Sequence, residues 1–197
     1  LERNLSILLE HFPKVETGKR FILGIDGLSR SGKTTLGKKL HQVLREKGIP
    51  VSVFHIDDYI VERKKRYHTG HEQWFEYYHL QWNVPWLREH FFRKLHESSS
   101  FTLPLYDKSS DSHSQQNINL PYHGIVIIEG VFLQRSEWRG FYDFVVYLDC
   151  PREKRFARES GSAQSRIGKF KERYWKAEEH YIEAGKPKNI ADLVLNN

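Results

Sequence analysis

Leu5, Leu8, Leu9 and Phe12 recur at helical spacing, which predicts an amphipathic helix over residues 3–12. The next apolar run, RFILGID at 20–26, is short and ends at a glycine-rich turn, as a strand does. A helix is predicted from 32 to 47, stopped by Gly48, Ile49 and Pro50. Residues 51–56 form another short strand pattern. Strand, loop, helix and strand in this order make a βαβ unit and imply a parallel sheet. Residues 59–100 read as helical and rich in aromatics, among them Trp74, Phe75, Tyr77, Tyr78, Trp82 and Trp86. Residues 101–106 and 117–122 predict a hairpin around the polar loop KSSDSHSQQ. Nearly continuous apolar runs at 124–128 and 143–149 predict buried strands. A basic helix start at 151–158, a helix at 169–183 and a last strand at 190–195 complete an α/β pattern of about five core strands.

Composition narrows the class. The chain of 197 residues suits one domain with a small lid or insertion. Its longest apolar runs are of strand length, too short to span a bilayer as helices. The first residues carry charge and lack the apolar core of a secretory signal. The single cysteine, Cys150, has no internal disulfide partner. A cytoplasmic protein is the expectation. The formal net charge of +6 suits either nucleic acid or a polyphosphate ligand. A phosphate motif is present and a nucleic-acid motif is not, so the second is expected, with neither nucleic acid nor membrane as partner. A homo-oligomer is left open. The sequence has no methionine, even at position 1, so spacing is argued only within short contiguous motifs.

Residues Gly27-Leu28-Ser29-Arg30-Ser31-Gly32-Lys33-Thr34 fit the pattern G-x-x-x-x-G-K-[ST]. Glycines let the backbone wrap with its N–H groups inward, forming an anion nest. The helix that follows adds partial positive charge at its N-terminus. Lys33 then reaches the β- and γ-phosphates of ATP, and the Thr34 hydroxyl ligates Mg²⁺. Thr35 continues the phosphate-binding stretch. The bland alternative is a lysine-bearing turn without a ligand, but the motif lies between a predicted strand and a predicted helix, where the chemistry needs it. Ligands of parallel α/β sheets bind beyond the carboxyl ends of the strands. Asp57 and Asp58 follow one such strand and Glu129 follows another. Asp57 suits the proton acceptor for a substrate hydroxyl, and Asp57 with Glu129 suits a hydrated magnesium ion. A helix cap is the alternative for each aspartate. Asp149 reads as a turn or cap residue.

The blocks GIDGLSRSGKTTLGKKL, HIDDYI, LPLYDKSSDSH, IVIIEGVFL and VVYLDCPREKRFARE resemble, in order, those of the uridine kinase-like branch of P-loop kinases. That branch includes nicotinamide riboside kinase, phosphoribulokinase and bacterial pantothenate kinase. The resemblance runs from about residue 20 to 195. It implies a P-loop NTPase fold over 1–197, with a five-stranded parallel sheet flanked by helices. It also implies a lid near 152–169 and an acceptor-site insertion, with its hairpin, near 59–122. The activity implied is ATP-dependent phosphorylation of a small-molecule hydroxyl, with a nucleoside such as uridine or cytidine as first choice. Asp57 resembles the family's base and Glu129 its acid near magnesium, with Lys33 completing the catalytic set. Gly27, Ser29, Arg30, Ser31, Gly32, Thr34 and Thr35 are expected on ATP. Tyr106 and Asp107 resemble the P-x-Y-D block that lines the acceptor pocket, and His113 matches a histidine that contacts the base. Tyr59, read from the residues alone, is a candidate to stack on the acceptor, with a place in the core as the alternative.

Arg155, Arg158 and Arg166 lie in or near the lid and are expected to clamp phosphates, against the alternative of a solvated basic face. Tyr67, His68, Trp74 and Phe75 are candidates for ring stacking or for the core. Three departures keep nicotinamide riboside, pantothenate and sugar phosphates as alternative acceptors. The gap from Tyr106 to His113 is long, Asp58 stands where uridine kinases commonly have serine, and the lid lacks an R-D-x-x-x-R-G-R run. A GTPase-like regulator would carry N-K-x-D, which is absent. A non-catalytic nucleotide-binding regulator is the remaining alternative.

Overall fold

The computed structural model describes residues 2–12 and 18–197. Strands β1 (Arg20–Asp26), β2 (Val51–His55), β3 (Ser100–Asp107), β4 (Ser112–Asn119), β5 (Gly124–Gly130), β6 (Phe144–Asp149) and β7 (Leu193–Asn196) fall into two sheets. Five of them form one parallel sheet in the order β2-β5-β1-β6-β7, while β3 and β4 pair as an antiparallel hairpin. The core is α/β, as the apolar runs predict. β5 is buried along its whole length because it lies between β2 and β1 with both faces covered.

Alternation along the strands sends side chains to two separate cores. Leu23, Ile25, Ile125, Ile127, Val146 and Leu148 pack on one face, against Leu36, Leu40 and Leu44 of helix α2 (Lys33–Glu46) and Leu5 and Leu8 of helix α1 (Glu2–His11). Ile22, Val126, Ile128, Val145 and Tyr147 pack on the other, under an aromatic layer that includes Phe91, Phe92, Trp138 and Tyr181. Each fully buried aliphatic or aromatic side chain contributes about 1.5–3 kcal/mol. These layers hold β1, β2 and β5 rigid, and their carboxyl ends open on one edge.

Several boundaries differ from the sequence expectation for physical reasons. The hairpin is longer, since β4 begins at Ser112 and the loop shrinks to residues 108–111. Ser112, Ser114, Gln115, Gln116 and Asn117 are exposed, so a solvated strand left no apolar period to read. β5 runs on to Gly130, so Glu129 is the penultimate residue of the strand instead of following it. Residues 59–100 break into short helical pieces, including Arg63–Arg66 and Gln73–His79, and one longer helix over 84–97 with a π-type turn at Arg88–Phe92. The late helix opens at Ile167–Lys169, widens into a π-type turn over Phe170–Trp175 and continues as Lys176–Gly185. Ile190 ends a helical turn, Pro187–Ile190, so the last strand starts only at Leu193.

Candidate active site

Asp26 closes β1 fully buried, accepting hydrogen bonds from the Tyr181 hydroxyl at 2.5 Å and from Gln134 Nε2 at 2.9 Å. Burial pushes its pKa up, against the opposing pull of those hydrogen bonds. The chain then turns at Gly27, whose φ is 149°, and a Cβ there would stand 2.6 Å from the Leu148 carbonyl oxygen. Only glycine allows this turn. The loop re-enters regular structure at Lys33, the first residue of α2. Lys33 is buried and its Nζ donates to the Leu28 carbonyl at 2.9 Å. Burial pushes its pKa below the usual lysine range, although Glu129, Asp26 and Asp57 pull it up. Ser31 Oγ is buried without a partner, and Thr35 is exposed on the first turn of α2.

Thr34 meets the carboxylates at the strand ends. Its Oγ1 donates to Glu129 Oε1 at 2.8 Å, and His55 Nδ1 lies 2.5 Å from the same oxygen. Burial opposes ionisation of Glu129, but the His55 and Thr34 hydrogen bonds and the Lys33 charge outweigh it and hold the pKa low. The same contact raises the pKa of His55. Asp57 and Asp58 lie on a single helical turn, Ile56–Tyr59, directly after β2. Asp57 is open to the water of the cleft yet has protein packed around it. That desolvation raises its pKa against the pull of Lys33, with Glu129 and Asp58 adding to the rise.

Ser29, Arg30, Lys33, Thr34, Asp57 and Glu129 all line one cleft of about 750 Å³. Tyr106 and Arg166 line it as well, the tyrosine from the hairpin and the arginine from the segment expected to be a lid. Four other predicted acceptor or phosphate contacts stand elsewhere. Tyr59 is buried against Phe91, with ring centroids 5.3 Å apart, and belongs to the core. The Asp107 carboxylate accepts from the backbone N–H and hydroxyl of Ser109 and from Ser110 Oγ, so it builds the hairpin turn. Those bonds bring its pKa down to about 2. His113 Nε2 sits 2.8 Å from the Ile60 carbonyl oxygen, outside the cleft lining. Arg158 is exposed, outside the lining too, and donates to the Arg30 carbonyl at 2.8 Å.

Arg155 changes role. It is buried and pairs with both oxygens of Glu178, at 2.9 and 3.0 Å, while donating to the carbonyls of Ser29 and Cys150. Glu178 Oε1 in turn accepts from the Ser29 N–H at 3.1 Å. Arg155 therefore braces the phosphate loop and is not free to clamp a phosphate. Arg30 holds Glu159 by two bonds of 2.9 Å, linking the loop to the segment expected to be a lid. Asp149, expected in a turn or cap, is instead the last residue of β6, paired with Asn196 of β7, and its carboxylate accepts from Lys188 Nζ at 2.5 Å.

A family model described as Phosphoribulokinase / Uridine kinase family matches residues 22–161. The chain belongs to this family. A uridine kinase from Borrelia duttonii (strain Ly) is 27% identical over 154 residues, covering 75% of this chain and 69% of its own. A solved structure of a possible uridine kinase from Bacillus stearothermophilus is 52% identical, with a TM-score of 0.87 and 98% of each chain covered. Phosphoribulokinase from Rhodobacter spheroides shares the fold at 14% identity and a TM-score of 0.65, over 91% of this chain and 71% of its own. The five-stranded parallel sheet flanked by helices is thus that of a P-loop kinase of the Phosphoribulokinase / Uridine kinase family.

Within this family frame, the cleft contains side chains that sequence reasoning did not single out. They include His55, Arg63, Arg66, Gln81 and Lys108. His55 alternates with core residues on β2 and carries no motif of its own. Arg66 and Gln81 lie in the aromatic segment, where charge pattern alone reads as solvated surface. Among the described residues, no helix is long and apolar enough to cross a membrane.

Proposed function

We propose that this kinase transfers the γ-phosphoryl group of ATP to a hydroxyl of a small molecule. One observation carries the reading: the loop lysine and threonine and two strand-end carboxylates, Lys33, Thr34, Asp57 and Glu129, line a single cleft. The loop N–H groups and Lys33 bind the phosphates of ATP. Nucleotide entry moves Lys33 Nζ off the Leu28 carbonyl and supplies a partner for the Ser31 hydroxyl. Thr34 Oγ1 and the Glu129 and Asp57 carboxylates form an all-oxygen donor set that fits Mg²⁺, with waters completing the shell. When bound, the ion neutralises charge that develops on the phosphate oxygens. Asp57 takes the hydroxyl proton, and the burial that raises its pKa favours proton uptake. The segment 152–169 acts as a lid that excludes water, which limits wasteful hydrolysis. Residues 59–122 supply the acceptor side, so that the whole chain works as one kinase domain in the cytoplasm, with no nucleic-acid partner.

The relatives' names favour a nucleoside acceptor, uridine or cytidine. A second reading, an acceptor that already carries negative charge, is favoured by Arg66, a buried cation that lines the cleft and whose guanidinium reaches the Asp111 carboxylate only across the Tyr106 hydroxyl and as a neighbouring charge. The test is an ATP-consumption screen with Mg²⁺ against uridine, cytidine, nicotinamide riboside, pantothenate, ribulose 5-phosphate and simple sugars, with product mass confirmed. Asp57→Asn is expected to leave nucleotide affinity nearly unchanged and to cut turnover by about 10²-fold or more. Turnover close to wild type in that variant removes Asp57 from the role of base.

A further inference from the structure

Asp26 is a buried carboxylate that no step of the reaction above uses. It ends β1 at 0% exposure, next to the turn at Gly27. Each hydrogen bond it makes comes from a donor. Oδ2 accepts from the Tyr181 hydroxyl at 2.5 Å and from Gln134 Nε2 at 2.9 Å, and Oδ1 from the Leu133 N–H at 3.3 Å. The Tyr181 oxygen itself accepts from the Gln134 N–H at 3.0 Å, which leaves its proton for Asp26. The Gly27 N–H and the Lys33 charge also favour the anion, against burial. A ring of donors is the setting of a carboxylate anion. An apolar side chain in this aromatic layer would be less costly to bury. The polar network also leaves Gln134 Oε1 and the hydroxyls of Tyr142 and Tyr147 buried without partners among the described residues. Tyr147 stands beside Asp26 in the β1–β6 register. Groups left unpaired in this way point to a role other than stability.

What Asp26 touches is the entry of the phosphate loop. The helix Lys176–Gly185 sends Glu178 and Tyr181, three residues apart and so on one face, to that entry. Tyr181 takes Asp26, while Glu178 Oε1 accepts from the Ser29 N–H at 3.1 Å and both Glu178 oxygens are held by Arg155. Between these two anchors lies Leu28, whose carbonyl accepts from Lys33 Nζ at 2.9 Å and from the Ser31 N–H at 3.1 Å. On the other side β6 leaves no slack, because a Cβ on Gly27 would stand 2.6 Å from the Leu148 carbonyl oxygen. Residues 26–29 are thus gripped at both ends, and the placement of Lys33 follows from theirs. Neither Asp26 nor Glu178 lines the cleft, so both act through the loop.

We propose that Asp26 is a positioning residue for phosphotransfer: through Tyr181 it locks the entry of the phosphate loop to the helix Lys176–Gly185, so that Lys33 and the loop N–H groups meet the β- and γ-phosphates in reactive geometry. This rests on the phosphotransfer reading and adds to it a group that touches neither substrate nor metal. A misplacement of about 1 Å in such a site costs on the order of 10²-fold in rate.

The test compares three variants with the wild type. Tyr181→Phe removes the hydroxyl that joins Asp26 to the helix and keeps the ring in the core. Asp26→Asn removes the charge at nearly constant size. Tyr142→Phe is the control, since it deletes a buried hydroxyl of the same layer that has no hydrogen-bond partner. The first readout needs no acceptor. Each folded protein is saturated with Mg²⁺ and a non-hydrolysable ATP analogue, and the phosphorus NMR resonances of the bound nucleotide are recorded. The second is kcat and KM with the acceptor that the screen identifies. In Tyr181→Phe the β-phosphate resonance is expected to move, kcat to fall about 10-fold or more, and the acceptor KM to stay within about 2-fold. Asp26→Asn should lose at least as much turnover, and the double variant little more, because the two groups act as one unit. Tyr142→Phe should match the wild type in both readouts. A purely structural role would lower melting temperatures and leave the resonance and the turnover of the folded protein unchanged. That result in Tyr181→Phe, or equal changes in Tyr142→Phe, overturns the proposal and leaves the kinase reading intact. Tyr181→Phe keeps the test valid if Asp26→Asn fails to fold. A wild type that does not bind the analogue at all is instead the failure of the kinase reading.

Discussion

A single carboxylate oxygen, Glu129 Oε1, accepts from the Thr34 hydroxyl and lies 2.5 Å from His55 Nδ1. Two neighbours on one atom fix the carboxylate, the kind of outer support that would set how well Glu129 holds the magnesium ion proposed above. His55→Ala is expected to raise the Mg²⁺ concentration for half-maximal turnover by about 10-fold or more, with ATP affinity in its absence little changed. The check is a magnesium titration of initial rates, and an unchanged requirement would show that His55 merely packs beside Glu129. Residues in contiguous motifs were readable from sequence because their chemistry is local. The turn at Gly27, the lysine at 33 and the aspartate after β2 each follow from the identity of their immediate neighbours. His55, Arg66 and Gln81 were not readable, since what defines them is a partner, or a missing partner, far away in the chain. His113 and Asp107 show the converse: each sits within the acceptor block's pattern, yet the first binds the Ile60 carbonyl and the second the hairpin turn.

At the scale of elements, apolar runs were the reliable signal. The central strands β1, β5 and β6 were visible because burial leaves almost no polar interruptions along them, and the edge strands β2 and β7 by short apolar patterns although they are partly exposed, whereas the outer half of the hairpin is solvated and β4 was half hidden. Ionic brackets between helices left no signal either. Glu76 of the helix Gln73–His79 pairs with Arg173 in the π-type turn at 3.0 Å, both buried, and also accepts from the N–H and hydroxyl of Thr69. Burial opposes its ionisation, but the Thr69 and Arg173 contacts prevail and hold its pKa below the ordinary 4.5. A carboxylate with a depressed folded pKa contributes stability that is present above the unfolded pKa and lost as pH falls through the folded value. Glu76→Gln leaves Arg173 buried without its counter-charge, so it is expected to cost about 3–5 kcal/mol at pH 7. The gap to wild type should close as pH drops below about 4.5. Urea unfolding at pH 7, 5 and 3.5 measures this, and a gap that stays constant with pH would mean that the loss reflects packing alone.

For the whole molecule, the phosphate loop is a place where stability is given up for binding. Lys33 is buried, its pKa is pushed down by that burial against the pull of nearby carboxylates, and among the described residues its Nζ donates to the Leu28 carbonyl of its own loop. A buried ammonium held this way destabilises the protein until phosphate arrives. Two opposite shifts are therefore expected from one substitution. Without nucleotide, Lys33→Met, which keeps the stem and removes the charge, should melt at or above the wild-type temperature. With Mg²⁺ and ATP at about 100 times the dissociation constant, the wild type should gain about 2.7 kcal/mol. For a chain of this size that corresponds to a rise of about 5–11 °C, while Lys33→Met should rise little or not at all. Thermal unfolding of both proteins with and without nucleotide reads all four states. A wild type that gains nothing from saturating nucleotide would contradict the phosphate-loop reading. A variant that melts well below wild type in the absence of ligand would show that Lys33 supports the fold, and that the loop carries no stored cost for nucleotide to relieve.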